Sequence, residues 1–200
     1  MKNILLITSS PRGEASYSTQ VATRLAQDLD GNLVVRDVAS HALPSIGEAF
    51  VHASYTPEAN RTAEQKSALE LSDTLIAEVK AADVIVIGAA MINFGMPANL
   101  KTWVDLISRS GVTFKYGESG PEGLITGKIA KLVIAAGGVY SSGPMSAMNH
   151  LEPALRTNLG FIGITDVETI WIEGVAYGPE ATEQALSAAK EKAAKIALAA

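Results

Sequence analysis

Ile4-Leu5-Leu6-Ile7-Thr8-Ser9-Ser10-Pro11-Arg12-Gly13-Glu14-Ala15-Ser16-Tyr17-Ser18-Thr19 joins a short apolar run to a hydroxyl-rich loop. The next apolar positions, Val21, Leu25 and Leu29, recur at helical spacing. A buried strand that feeds such a loop into the start of a helix gathers backbone N–H groups and hydroxyls into a concave nest. The helix dipole adds a favourable potential for an anion at the same place. The chemistry is that of a phosphate site.

Which phosphate follows from what the loop lacks. A Walker A loop opens its helix with Gly-Lys-Ser/Thr and a dinucleotide fingerprint carries three glycines, whereas this loop has Gly13 alone and no lysine. Ser9, Ser10, Ser16, Ser18 and Thr19 replace glycines with hydroxyls that donate to a terminal, dianionic phosphate. That suits a mononucleotide such as FMN better than the diester bridge of NAD. The loop alone leaves a plainer reading open, in which Ser16 or Ser18 simply caps the first helix.

Further along, Leu33 to Val38 reads as a second strand, followed by an irregular excursion from Ala39 to Arg61 containing Pro44, Gly47 and Pro57. Thr62 with Gln65 forms a capping box for a helix with Leu69, Leu75, Ile76 and Val79 inside. Asp83 to Gly88 is continuously apolar after its first residue, the pattern of a strand buried on both faces. Pro97 opens a helix with Leu100, Val104 and Ile107 inward. The span Gly111 to Gly127 is turn-rich and reads as an inserted hairpin or lid. Lys131 to Ala136 is a fourth strand, Leu151 to Leu159 a helix, Asp166 to Trp171 a fifth strand, and Gly178-Pro179-Glu180 starts an alanine-rich terminal helix. Alternating strand and helix predicts an α/β fold in one domain over residues 1–200: a doubly wound, five-stranded parallel sheet of order 2-1-3-4-5 with helices on both faces. Such sheets bind ligands at the carboxyl ends of their strands, where the order reverses between the first and third strands.

Two further patches fall on that rim. After strand three, Met91-Ile92-Asn93-Phe94 offers apolar surface and one side-chain amide, a mixture suited to the flat, polar-edged isoalloxazine ring; an ordinary turn with Asn93 bonding local backbone remains the alternative. After strand four, Gly137 and Gly138 leave amides unshielded toward a ligand and Tyr140 stands nearby, although a plain flexible turn also accounts for two glycines.

The 200 residues are 48% hydrophobic with a net charge of −5, a pI near 5.2 and a mean hydropathy of +0.19. A large core follows, and a basic footprint for nucleic acid or an anionic membrane is missing. No run reaches the length of a membrane span and Met1-Lys2-Asn3 enters a strand without a signal-peptide pattern, so the expected location is cytoplasmic. With no cysteine, redox chemistry has to come from a bound cofactor. His41, His52 and His150 lack ligand spacing, and no metal site is expected.

With these residues in view, the sequence resembles the FMN-dependent NADH-azoreductases and NADH:quinone reductases of flavodoxin-like fold. The resemblance runs through Leu71-Ser72-Asp73, Met91 to Phe94, Gly111-Val112-Thr113-Phe114, Gly120 to Leu124, Leu159 to Ile164 and Gly174 to Pro179. It implies a homodimer with one FMN per subunit at the interface, NADH as co-substrate, and quinones or azo compounds as acceptors. It places Ser10, Ser16, Tyr17 and Ser18 at the FMN phosphate, and Met91, Ile92, Asn93 and Phe94 at the ring and ribityl chain. The inserted segment, with Phe114 and Tyr116, is the candidate wall beside the flavin. Two departures stand out: Ile92 replaces a tyrosine typical of the family, and Ala135-Ala136 precede Gly137-Gly138 where members often carry Ser-Arg. An arginine at position 136 is therefore expected to tighten FMN. An NAD-dependent dehydrogenase using Asp37 on ribose, and a flavodoxin-type electron carrier, are the alternative readings.

Overall fold

The computed structural model describes residues 1–199. Five parallel strands, β1 (Lys2–Thr8), β2 (Gly31–Asp37), β3 (Val84–Ala90), β6 (Ile129–Ala135) and β7 (Asp166–Ile172), form one sheet. Their order is β2-β1-β3-β6-β7, which reads 2-1-3-4-5 when these strands alone are counted. Because side chains alternate across a strand, Ile4, Leu6, Val84 and Val86 project to one face and Leu5, Ile7, Ile85 and Ile87 to the other. The first set packs on α1 (Tyr17–Asp28) and α6 (Pro179–Ala199) through Val21, Leu25, Ala189 and Ala193. The second packs on α3 (Ala63–Ala81), α4 (Ala98–Ile107) and α5 (Glu152–Phe161) through Leu75, Val79, Trp103 and Leu155. Helices thus cover both faces.

The expected capping box is present: Gln65 N donates to Thr62 Oγ1 at 3.3 Å and Thr62 N to Gln65 Oε1 at 3.0 Å. The excursion after β2 is more ordered than its prolines imply, since it contains the helix α2 (Glu48–Tyr55). Arg61 closes the end of α2 by donating from Nε to the carbonyls of Ala53 and Thr56. Among the described residues, no helix is long and apolar enough to cross a membrane.

The segment between α4 and β6 is an antiparallel hairpin of β4 (Phe114–Gly117) and β5 (Gly120–Gly123). The chain leaves α4 away from the carboxyl rim and enters β6 at Ile129, beside the strand-starting residues Val84 and Asp166. The hairpin accordingly rests on the last turn of α5, with Phe114 and Phe161 ring centroids 4.3 Å apart. Within the chain it stands apart from the rim where the ligand loops lie.

Candidate cofactor site

Gly88 sets the first loop in place. A Cβ there would lie 3.0 Å from Ala22 Cβ and 3.1 Å from the carbonyl oxygen of Ser18, so its absence lets α1 seat closely on β3. The Gly88 carbonyl accepts both the amide and the hydroxyl of Ser9 at 3.2 and 2.9 Å. Ser9 Oγ is therefore consumed in tying two loops together, and it leaves the set of phosphate donors. Asn99 Nδ2 donates to Ser9 O at 3.0 Å and closes the join from the start of α4.

Ser10, Ser16 and Ser18 are buried at the head of α1. Ser16 occupies the N-cap position, yet its side chain makes no capping bond. Its Oγ lies instead 3.0 Å from Ser18 Oγ. The first intrahelical bond at this end runs from Gln20 N to Ser16 O, which leaves the amides of Tyr17, Ser18 and Thr19 without an intrahelical acceptor. The capping alternative is thus not what the loop does. Paired hydroxyls and uncapped amides at one helix terminus are a donor set suited to a phosphate. Tyr17 needs a finer statement: its ring packs toward α6 beneath the Arg12 guanidinium, 5.4 Å above the centroid, so only its backbone faces the nest. Thr19 Oγ1 is buried without a partner and closed to solvent, and it offers nothing to a ligand.

The loop after β3 is a two-residue hairpin. Ile92 and Gly95 exchange backbone hydrogen bonds at 3.1 and 3.0 Å, and Asn93 and Phe94 hold φ of 47° and 68° between them. Asparagine tolerates that region; phenylalanine is held there against its own preference. Among the described residues, no backbone group bonds to the Asn93 side chain, so it is not spent on holding the turn. Phe94 is 39% exposed and meets Tyr140 edge to face, with ring centroids 6.0 Å apart.

Across from it, Gly137 and Gly138 both lie at ordinary negative φ. Glycine is used here for close approach, because a Cβ at Gly138 would meet the Tyr140 ring at 3.1–3.2 Å. Their carbonyls accept from Ala176 and Gly174, while among the described residues their amides have no acceptor. Glu173, just past β7, takes the amides of Tyr140 and Ser141 at 2.6 and 2.8 Å and fixes this loop from below. Met91, Asn93, Phe94, Gly137 and Tyr140 line one cavity of about 190 Å³, so the second and third patches meet as the strand order requires. Ile92 faces outward at 40% exposure.

Ala136 is buried, its N–H bonded to Ile172 O at 2.9 Å. One sequence reading changes. Asp37 is not free to bind ribose, since it accepts the amides of Ala39 and Ser40 and the Ser40 hydroxyl. Burial pushes its carboxyl up, but the bonds from Ser40 and Ala39 outweigh this and hold it below the usual carboxylate range. Asn99 and Glu173 escaped the sequence reading because each side chain is spent on the backbone of a neighbouring loop. Their positions, just after Pro97 and just after the fifth strand, were the available signals.

A family model for the flavodoxin-like fold matches residues 2–197. The FMN-dependent NADH:quinone oxidoreductase 1 of Rhizobium etli is 53% identical over an alignment of 205 residues that covers 100% of both chains. The FMN-dependent NADH:quinone oxidoreductase of Agrobacterium fabrum is 49% identical with the same coverage. An azoreductase from Bacillus anthracis str. Sterne superposes with a TM-score of 0.89 at 30% identity, over 98% of this chain and 99% of that one. The chain belongs to the flavodoxin-like family, and within it to the FMN-dependent NADH:quinone oxidoreductases and azoreductases.

The turn at Asn93 and Phe94 permits a test of strain. Tyr140→Ala and Phe94→Gly both remove the aromatic pair, worth about 1 kcal/mol. Only Phe94→Gly also releases a left-handed phenylalanine, worth roughly 1–2 kcal/mol. Denaturant unfolding of the apo-protein is expected to show Tyr140→Ala as the less stable variant. The opposite ranking would show that the turn is relaxed.

Proposed function

We propose that the chain is an FMN-dependent oxidoreductase that oxidises NADH and reduces planar acceptors of the quinone and azo classes by two electrons, one substrate following the other at the same flavin face. The observation that carries this reading is the uncapped head of α1 with its paired buried serines. The names of the relatives support the cofactor and the reductant. FMN, when bound, supplies the hydride acceptor and donor, so no acid/base pair is required of the protein. For a quinone the balance is one hydride from NADH and one solvent proton giving the quinol and NAD⁺.

The residues hold and orient. Ser10, Ser16, Ser18 and the first amides of α1 take the phosphate dianion. Met91, Ile92, Asn93 and Phe94 carry the ribityl chain and one side of the ring, with the Asn93 amide free for its polar edge. The unpaired amides of Gly137 and Gly138 point donors where negative charge develops on the reduced ring.

The cavity of about 190 Å³ is smaller than the roughly 300 Å³ at which small-molecule pockets begin. Exposed Ile92, Phe94, Val139, Met145 and Met148 are further apolar surface on the two rim loops and the segment that follows them. Both features support a homodimer in which the partner completes the pocket, and the hairpin bearing Phe114 and Tyr116, remote from its own rim, is the part free to do so. The test is anaerobic: one equivalent of NADH should bleach the visible band of the FMN-loaded protein, and a benzoquinone should restore it. A band that NADH leaves unchanged refutes the reading.

A further inference from the structure

A second cavity, of about 730 Å³, lies between α1 and α6 and adjoins the cofactor site on two sides. Tyr17 forms one wall, and its chain neighbours Ser16 and Ser18 belong to the phosphate nest. Ala176 forms another, with its Cβ 3.4 Å from where a Gly137 Cβ would stand; Gly137 in turn lines the ring cavity. The groove thus borders the flavin site while sharing no lining residue with the ring cavity.

Its lining is chemically mixed. Val175 and Leu186 supply a partly buried aliphatic floor. Glu183, Ser187 and Lys190 stand at spacings of four and three along α6, on one side of the helix. Among the described residues, no protein group bonds to any of these three side chains or to the Tyr17 hydroxyl. Elsewhere on α6 the contrast is plain, because Lys192 donates to Thr169 O at 2.7 Å and Lys195 pairs with Glu191 at 2.7 Å. Arg12, over the Tyr17 ring, adds a cation between nest and groove. The walls are fixed: Thr182 Oγ1 bonds Val175 O and Gly178 O at 3.1 and 2.9 Å.

An aliphatic floor for a flat base, a carboxylate for a ribose diol and cations for a phosphate together describe an adenylate. We propose that this groove holds the adenylate half of the dinucleotide reductant. The assignment rests on the function proposed above, and Glu183 takes the ribose role that Asp37 is not free to play. An adenylate has a second source in FAD, whose extra nucleotide would leave the nest past Tyr17.

The probes are AMP, NADH, reduced nicotinamide mononucleotide (which lacks the adenylate), FMN and FAD, tested on the parent and on Lys190→Glu and Ser187→Trp. Calorimetry should show AMP binding to the FMN-loaded parent and not to the variants. The variants should raise KM for NADH about tenfold while leaving kcat, and KM for the mononucleotide, unchanged. If they weaken FAD but not FMN in titrations of the apo-protein, with NADH kinetics unmoved, the adenylate site stands and its source is the flavin. No AMP binding by the parent, or variants that alter neither NADH nor FAD, overturns the proposal. Failure of NADH to reduce the parent strikes the proposed function instead, and the AMP and FAD arms still decide the groove.

Discussion

Ser16→Ala combined with Ser18→Ala is expected to weaken FMN on the order of a hundredfold and to leave riboflavin binding unchanged. The two hydroxyls lie 3.0 Å apart and bond each other, so removing both leaves no orphaned donor and the apo-protein keeps its stability. What disappears is two charge-assisted bonds to a dianion, at about 1.5 kcal/mol each at the low end, or about 3 kcal/mol together. Riboflavin lacks the phosphate and serves as the control. The single variants need not sum to the double, since each leaves one hydroxyl free to reorient. Fluorescence titration of the apo-protein with both flavins checks the expectation. Equal losses for the two would show that the serines shape the loop rather than grip phosphate.

The sheet was legible because its residues obey one strong rule: Ile4 to Ile7 and Val84 to Ile87 are apolar throughout, as strands buried on both faces must be. The phosphate loop was legible in its position and composition. It was less legible in its division of labour, because a sequence shows that Ser9 and Ser16 are both hydroxyl residues but not that one is held by Gly88 O and the other is not. Tyr17 was placed at the nest by the family resemblance, whereas the first turn of α1 swings its ring toward α6.

Long-range geometry was the other blind spot. The hairpin's existence followed from Gly117 to Gly123. Its distance from the rim depended on where α4 ends relative to the start of β6, which local pattern does not encode. Helix α2 hid between Pro44 and Pro57 because only Phe50 and Ala53 turn inward, too few to show a period. The anchoring of Ala136 depends on Ile172, from a strand thirty-odd residues later.

Gly123→Ala is expected to damage the protein far beyond the addition of one methyl. A Cβ at Gly123 would fall on the backbone nitrogen and Cα of Gly163 and the carbonyl carbon of Ile162, atoms that no rotamer change can move. Gly163 is held at φ 107°, and a Cβ there would lie 2.8 Å from Ile125 O. Two chain segments therefore cross glycine against glycine, and the crossing seats the hairpin through Ile125 N to Ile162 O at 2.8 Å and through Phe114 on Phe161. Forcing them apart costs about 3 kcal/mol, or a fall in Tm of roughly 6–12 °C for a chain of this length. The phosphate nest lies at the other end of the sheet, so FMN should still bind well below that temperature. Turnover should not survive as well as binding, because the hairpin is the proposed wall of the partner's pocket. A thermal scan, an FMN titration and a quinone reductase assay at one low temperature separate these effects. Full turnover by a folded, FMN-loaded Gly123→Ala variant would show that the hairpin stabilises α5 and takes no part in the shared pocket.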